Sequence, residues 1–289
     1  MTRRGAYFLA NDYVLDLVIA FLNSFRRFNP SLDLCLIPFD RHTEALERLQ
    51  HKYQFEIFRK NHVLERCDEL SVPLHGRVVG QYRKLAMWEG EFDEFVYMDV
   101  DTVVLHNLGF VFEFLCEFDF LNSHSNIPGI RKWVWKDSIF QVNALTREQI
   151  QYSGQMGFIA SHKGSIDFEG LDARVSAAIP LAPHMELMCT DQPFLNYLVV
   201  TSGKLYTSLY AITRQQARTD IPLERWGGSS LGKIQDGQIL IGPGQSPVLL
   251  VHWAGEWQRD SHLTSPLWRY YRDLNETADD AVGVIQKGA

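Results

Sequence analysis

Apolar and polar residues alternate along the chain with two different periods. Short apolar runs, typical of buried strands, are separated by longer segments in which apolar residues recur at helical spacing. Strands are predicted over 6–10, 32–39, 55–58, 95–98, 118–121, 158–160 and 248–251. Helices are predicted over 14–28, 42–53, 81–88, 190–200 and 265–275. This alternation predicts an α/β fold with a mostly parallel, doubly wound central sheet.

Two segments depart from this pattern. The stretch 122–155 is irregular and contains a basic cluster of Arg131, Lys132 and Lys136, and the stretch 225–244 is rich in glycine. Long irregular segments in a compact domain are often lids or binding loops, and the alternative is a surface excursion with its own small helix. We expect 131–136 and 227–233 to be candidate lids.

Composition and charge narrow the class of protein. The 289 residues are 46% hydrophobic and carry a formal net charge of -7, which suits one α/β domain and argues against nucleic-acid binding. The four widely spaced cysteines fit reduced, mostly buried thiols. The N-terminus shows no signal-peptide pattern and no apolar run is long enough to span a membrane, so we expect a cytoplasmic protein.

Two carboxylates stand where the predicted strand 95–98 ends. Asp99 and Asp101 follow a buried run, and such strand ends line the ligand-binding edge of a parallel sheet. Paired carboxylates at this place favour a hard divalent cation, Mg²⁺ or Mn²⁺. The alternative is a turn in which one aspartate caps a helix and the other is solvated.

The string DVDTV also fits a second enzyme class. It resembles the first motif of haloacid-dehalogenase-like phosphatases, in which Asp99 would be the nucleophile and Asp101 the general acid/base. That family needs a downstream acidic motif, and the nearest candidate is Asp279-Asp280 in a polar tail. We rank this interpretation second.

Five short motifs follow one another along the chain. They are Asn11-Asp12-Tyr13, Arg83-Lys84, Asp99-Val100-Asp101, Asp191-Gln192 with Asn196, and His252 with Gly255. In this order they resemble the motifs of GT-A fold glycosyltransferases, closest to the retaining family of glycogenin and bacterial lipopolysaccharide galactosyltransferases. The resemblance implies a Rossmann-like single domain over 1–289, with nucleotide-sugar binding in 1–122 and the acceptor side and a C-terminal metal and phosphate segment in 123–289.

The resemblance also implies roles for these residues. Asp99, Asp101 and His252 would bind Mn²⁺ or Mg²⁺, and Asp191 and Gln192 would be catalytic. The family's lysine after the last motif is replaced by Gln258, and the adjacent Arg259 is the candidate phosphate ligand. Donor contacts would come from Asn11, Asp12, Tyr13, Arg83, Lys84, Asp99, Val100, Gly255 and Arg259. The implied donor is a nucleoside-diphosphate sugar, with UDP expected, and the acceptor is a carbohydrate, a lipid-linked sugar or a protein.

A non-catalytic relative that only binds carbohydrate is the remaining alternative. Sugars stack on aromatic faces, and four tryptophans could form such a platform. They are Trp133, Trp135, Trp253 and Trp257.

Overall fold

The computed structural model describes residues 2–275, with the side chain of Trp257 left out. These residues form twelve strands and ten α-helices. The strands are β1 Arg4–Ala10, β2 Asp33–Pro38, β3 Glu56–Ile57, β4 Glu94–Asp99, β5 Thr102–Val104, β6 Phe120–Asn122, β7 Phe158–His162, β8 Tyr206–Ser208, β9 Leu223–Trp226, β10 Ile234–Gln235, β11 Gln238–Ile239 and β12 Val248–His252. The helices are α1 Leu15–Phe28, α2 Glu44–Tyr53, α3 Asn61–His75, α4 Gly109–Phe114, α5 Pro128–Arg131, α6 Arg147–Tyr152, α7 Leu171–Ala178, α8 Gln192–Val200, α9 Leu209–Gln216 and α10 Pro266–Asp273.

Seven of the strands form the central sheet, in the order β3-β2-β1-β4-β7-β6-β8. Neighbouring strands are parallel except at β7, which runs antiparallel to both β4 and β6. The predicted α/β fold with a mostly parallel sheet is therefore confirmed. Each of the seven predicted strands is present, with its ends within two residues of the predicted ones.

The sheet is buried on both faces, as the apolar runs predict. On β4, Val96 and Met98 face a core layer shared with α1, whereas Phe95 and Tyr97 face a second layer shared with α3. Successive side chains of a strand point to opposite faces, so Asp99 lies on the same face as Tyr97. The position of Asp99 within the fold follows from this alternation.

The segment predicted as a helix over 81–88 is a 3₁₀ helix, Gly80–Glu89, rather than an α-helix. It packs on the same face as Tyr97, with Leu85, Met87 and Trp88 buried. This segment ends at Glu89, and four residues separate it from the start of β4.

A smaller sheet completes the site's scaffold. Strand β12 pairs antiparallel with β5 and parallel with β9, and the β10–β11 hairpin lies within the glycine-rich segment. Within residues 2–275 the longest helix, α3, has 15 residues, and no helix has the length and apolar character needed to span a membrane.

Candidate active site

The candidate site is built around the end of β4. The Tyr97 hydroxyl donates to Oδ1 of Asp99 at 2.6 Å, and Nζ of Lys84 lies 3.0 Å from the same oxygen. Lys84 comes from the 3₁₀ helix Gly80–Glu89 and is 5% exposed. A buried lysine needs a compensating negative charge, which Asp99 supplies.

Lys84 also pairs with a second carboxylate. Its Nζ lies 3.0 Å from Oδ2 of Asp191, which is buried directly before α8. Asp191 holds the N-cap position of α8, but its side chain makes no capping hydrogen bond. The carboxylate of Asp191 therefore does not cap the helix but joins the buried charge cluster.

The second sheet brings His252 to the two aspartates. In the antiparallel ladder of β12 and β5, His252 pairs with Thr102, the residue after Asp101. The backbone N–H of Trp253 donates to the carbonyl of Asp101 at 2.9 Å, and Nε2 of His252 lies 3.1 Å from Oδ1 of Asp101. One ligand atom from each of Asp99, Asp101 and His252 lies within 4.8 Å of the other two.

A glycine makes this approach possible. The carbonyl of Gly157 accepts a hydrogen bond from the backbone N–H of Asp99 at 2.9 Å, just before β7 begins. A Cβ at position 157 would lie 2.3 Å from Cε1 of His252 and 3.0 Å from Oδ2 of Asp99. Only a residue without a side chain fits between these two groups.

Burial and neighbouring charges shift the pKa values of the cluster. Burial alone would raise the pKa of Asp99, but Lys84 and His252 hold it below its ordinary value. Burial raises the pKa of Asp191 despite the opposing effect of Lys84. The pKa of Lys84 is raised because Asp191 and Asp99 outweigh its burial.

The imidazole of His252 has a similarly charged environment. Burial alone would lower its pKa, but Asp101 and Glu224 raise it well above the ordinary value. The two carboxylates therefore favour the protonated form of the imidazole.

The donor set suits a divalent cation. Two carboxylates and one imidazole are ligands that Mn²⁺ and Mg²⁺ accept, and the imidazole favours Mn²⁺. The convergence of Asp99, Asp101 and His252, with the space beside them left by Gly157, fits such an ion.

Three of the expected donor contacts lie together after β1, namely Asn11, Asp12 and Tyr13. The Asn11 side chain accepts from the backbone N–H of Tyr13 and donates to Asp40. Asp12 accepts hydrogen bonds from the backbone N–H groups of Ala45 and Leu46, in the first turn of α2. The Tyr13 side chain is 76% exposed. Tyr13 is therefore accessible, whereas Asp12 is engaged by a helix N-terminus.

Of the two basic residues in the Arg83-Lys84 pair, Lys84 is the one that reaches the cluster. The guanidinium of Arg83 instead pairs with Asp68 at 2.6 Å and donates to the carbonyl of Pro38 at 3.0 Å. The structure thus places Arg83 in the packing of α3 against the end of β2.

The remaining predicted residues differ in burial and in the contacts that they make. Val100 is buried in the turn between the two aspartates, and Gly255 has a positive φ of 71°. Arg259 is largely exposed and pairs with Glu256 at 3.2 Å. The side-chain amide of Gln192 donates to the carbonyl of Trp133 at 3.3 Å.

The sequence analysis missed three side chains that touch the cluster or its ligands, namely Tyr97, Thr102 and Glu224. Tyr97 was detectable, since it stands two positions before Asp99 and so shares its face. The Thr102 hydroxyl donates to the carbonyl of Asp99 at 2.7 Å. Glu224 contacts His252 from β9, and a lone glutamate far along the chain gives no motif signal.

The three predicted platform tryptophans whose side chains are described do not form a platform, and the side chain of the fourth, Trp257, lies outside the described part of the structure. Trp135 and Trp253 are each 1% exposed and belong to the core, whereas Trp133 is 52% exposed. Trp135 is buried because the segment 131–136 packs against the rest of the protein, where it forms a bridge with Met185. The alternative acidic motif of a phosphatase, Asp279-Asp280, lies outside the described residues.

Comparison with known proteins identifies the fold. No family model matches the chain, and no curated protein sequence matches it either. Among solved structures, the chain is similar to galactosyltransferase LgtC in complex with donor and acceptor sugar analogs, at 12% identity and a TM-score of 0.62, over 96% of this chain and 99% of that one.

Two further glycosyltransferases share the fold. The bifunctional glycosyltransferase WbbM matches at 13% identity and a TM-score of 0.52, over 93% of this chain and 51% of that one. Mouse xyloside xylosyltransferase 1 matches at 13% identity and a TM-score of 0.51, over 78% of this chain and 87% of that one. The chain therefore has the GT-A fold of glycosyltransferases, as its motifs predict.

Proposed function

We propose that the protein is a glycosyltransferase that transfers a sugar from a nucleoside-diphosphate sugar, with UDP as the expected nucleotide, in a reaction dependent on Mn²⁺ or Mg²⁺. The convergence of Asp99, Asp101 and His252 at the ligand-binding edge of a GT-A fold carries this proposal. Asp99 ends a strand of the central sheet, Asp101 lies in the turn before β5, and His252 ends a strand of the smaller sheet. A simple structural turn does not require these three side chains to converge.

In this proposal Asp99, Asp101 and His252 hold the metal. A divalent cation bound there supplies positive charge that stabilises the departing nucleoside diphosphate. Arg259, exposed beyond β12, is the candidate for a further phosphate contact.

The nucleoside would bind near the end of β1. The exposed ring of Tyr13 offers a face on which a base can stack, because aromatic rings bind flat π-systems. Asn11 fixes the backbone of Tyr13 through its side-chain oxygen at 3.1 Å. Asp12 holds α2 in place beside them, so its contribution to donor binding would be positioning.

The donor sugar would lie beside Lys84, Asp191 and Gln192. Lys84 holds the carboxylate of Asp191 on the side of the metal cluster, so Asp191 can accept hydrogen bonds from sugar hydroxyls. The side-chain nitrogen of Gln192 donates a hydrogen bond to the carbonyl of Trp133, which leaves the side-chain oxygen available to the donor sugar. That oxygen is suited to support positive charge at the anomeric carbon, but as an amide it is a poor nucleophile. A solved active-site variant of LgtC replaces a glutamine by glutamate, in agreement with a glutamine at this kind of site.

The acceptor side would be formed by residues after Asn122. Trp133 is half exposed next to Gln192, and its ring can stack on an acceptor sugar. LgtC was solved with donor and acceptor sugar analogs, so a carbohydrate acceptor is the first class to screen.

Calorimetric titration with UDP, with and without Mn²⁺, tests the proposal. The wild type should bind UDP more tightly with Mn²⁺, and Asp101→Asn should weaken that binding by at least about tenfold, the scale of one charge-assisted contact. Asp220→Asn is the matched control, because Asp220 is exposed and pairs only at the surface with Arg218 at 2.6 Å.

Hydrolysis of UDP-sugars in the absence of acceptor would then identify the donor. UDP affinity that is unaffected by metal and by Asp101→Asn would contradict the proposed site. Absence of binding to UDP, GDP and other nucleoside diphosphates would overturn the function.

A further inference from the structure

A buried carboxylate, Glu224, lies behind the candidate ligand His252. Oε1 of Glu224 is 3.0 Å from Nδ1 of His252, while Nε2 on the other side of the ring faces Asp101 at 3.1 Å. We propose that Glu224 is a positioning residue that accepts a hydrogen bond from Nδ1–H and so presents Nε2 to the metal. The inference rests on the metal site of the proposed function.

Strand pairing and backbone hydrogen bonds fix the main chain of His252, but they leave the orientation of its ring open. Parallel pairing places Trp226 of β9 opposite His252, and the N–H of Gly227 donates to the His252 carbonyl at 2.7 Å. The second side-chain torsion of histidine is broad and allows two ring orientations. A hydrogen bond to Glu224 selects the orientation that points Nε2 at Asp101.

Glu224 is itself held by a second partner. The hydroxyl of Ser123, the residue directly after β6, donates to Oε2 of Glu224. The two oxygens thus have separate partners, one His252 and one Ser123. A carboxylate satisfied at both oxygens has little freedom to rotate, so it holds the imidazole rigidly.

The burial of Glu224 supports a role in positioning the candidate metal ligand His252. Its side chain is 8% exposed, and a buried carboxylate costs stability unless a partner charge compensates it. Glu224 is outside the set of groups that meet at the metal position, which includes only Asp99, Asp101 and His252 among residues 2–275. Carboxylates placed behind ligating histidines fix the tautomer and raise the ligand's basicity.

Mn²⁺ binding by the whole protein, without nucleotide, provides the test. Electron paramagnetic resonance of free Mn²⁺ gives the affinity, and spin-echo modulation from the histidine nitrogen reports whether His252 is a ligand. We expect Glu224→Gln and Glu224→Ala to lower Mn²⁺ affinity by about 10- to 100-fold, with the larger loss in alanine and partial recovery in Glu224→Asp. The nitrogen modulation should weaken in the same order.

Two variants define the limits of this readout. His252→Ala should remove the nitrogen modulation, and Asp220→Asn should behave as the wild type because Asp220 lies at the surface near β9. Glu224→Gln has nearly the same shape as the native side chain, so it tests the inference even if Glu224→Ala fails to fold.

The outcomes separate this inference from the proposed function. Folded Glu224→Gln and Glu224→Ala proteins with wild-type affinity and modulation would overturn the positioning role, whatever the nucleotide results. Wild-type protein that binds Mn²⁺ without nitrogen modulation would also overturn it, since His252 would not be a ligand. If the Glu224 variants lose the nitrogen modulation but the protein binds no nucleotide, the positioning role of Glu224 is supported and the glycosyltransferase proposal fails.

Discussion

At the scale of single residues, Gly157 sets the spacing between Asp99 and His252. A Cβ at position 157 would lie 2.3 Å from Cε1 of His252, which is far below van der Waals contact, and 3.0 Å from Oδ2 of Asp99. His252 is buried and Asp99 is partly buried, and both side chains already make other contacts, so neither can move away freely. A single methyl group must therefore displace a candidate ligand.

We predict that Gly157→Ala lowers Mn²⁺ affinity by about tenfold or more, because a ligand out of position loses on the order of one charge-assisted contact. Overpacking should also lower the free energy of unfolding by about 1–3 kcal/mol. Metal titration and urea denaturation measure the two effects. Gly129→Ala is the control, since a Cβ there meets only Ile127 at 4.0 Å. Wild-type affinity in Gly157→Ala would show that the site is more open than its geometry indicates.

At this scale the sequence supports some predictions and not others. Asp99 and Asp101 follow a buried strand, and His252 ends another. Their positions and their order along the chain therefore allowed the sequence to predict them as candidate ligands. Glu224 could not be predicted, because its role depends on the pairing of β9 with β12. A side chain that acts through another across a sheet leaves no local spacing in the sequence.

At the scale of elements, α2 begins against a cap supplied by another part of the chain. Thr43 holds the N-cap position, but its side chain makes no capping hydrogen bond. The carboxylate of Asp12 instead accepts from the N–H groups of Ala45 and Leu46, at 3.1 Å each. These are the second and third N–H groups of the helix, which an N-cap side chain ordinarily satisfies.

We predict that Asp12→Ala lowers the free energy of unfolding by about 0.5–2 kcal/mol, as for loss of a helix cap, and that Asp12→Asn loses less. Thr43→Ala should change it little, although the local sequence would make Thr43 the cap. Denaturation in urea measures all three variants. UDP titration of Asp12→Asn then separates the cap from a direct donor contact: strongly weakened binding in a stable variant would favour the direct contact.

Element prediction found seven of the twelve strands in residues 2–275 and was also incomplete for helices. The five strands that it missed are β5, β8, β9, β10 and β11, each of two to four residues. The apolar runs are buried on both faces of the sheet, so each was detectable by composition. Helix α3 was missed, since it contains Pro73 and ends at Gly76 with a φ of 68°. Those two residues are signals that usually mark a break, whereas here proline is tolerated in the last turn and glycine forms the C-cap.

At the scale of the whole molecule, the candidate site draws on segments that lie far apart in sequence and meet only when both sheets have formed. Asp99 ends β4 of the central sheet, His252 ends β12 of the small sheet, and Asp191 precedes α8. Strand β7 was predicted, but its antiparallel direction could not be, because direction leaves no mark on an apolar run. Its insertion beside β4 brings Gly157 to the site. Ligand binding should therefore stabilise the native state as a whole.

The four cysteines can report that stabilisation. All are free, with Cys35 and Cys67 buried, Cys189 partly buried and Cys116 exposed. Burial raises the pKa of Cys35 to about 12 and also raises that of Cys67. The thiolate is the reactive form, so at pH 8 these two thiols remain protonated and shielded in the native protein.

We therefore predict that a thiol reagent at pH 8 modifies Cys116 first and reaches Cys35 and Cys67 only through unfolding. Mn²⁺ with UDP at about 100 times its dissociation constant should stabilise the native state by about 2.7 kcal/mol and slow the two buried thiols about 100-fold. Peptide mapping by mass spectrometry follows each cysteine separately.

Cys116 is the internal control, because its modification needs no unfolding and should keep its rate. Asp101→Asn should lose the slowing; equal slowing in that variant would mean that the ligands bind elsewhere, and rapid modification of Cys67 in the wild type would mean that α3 opens without the rest of the fold.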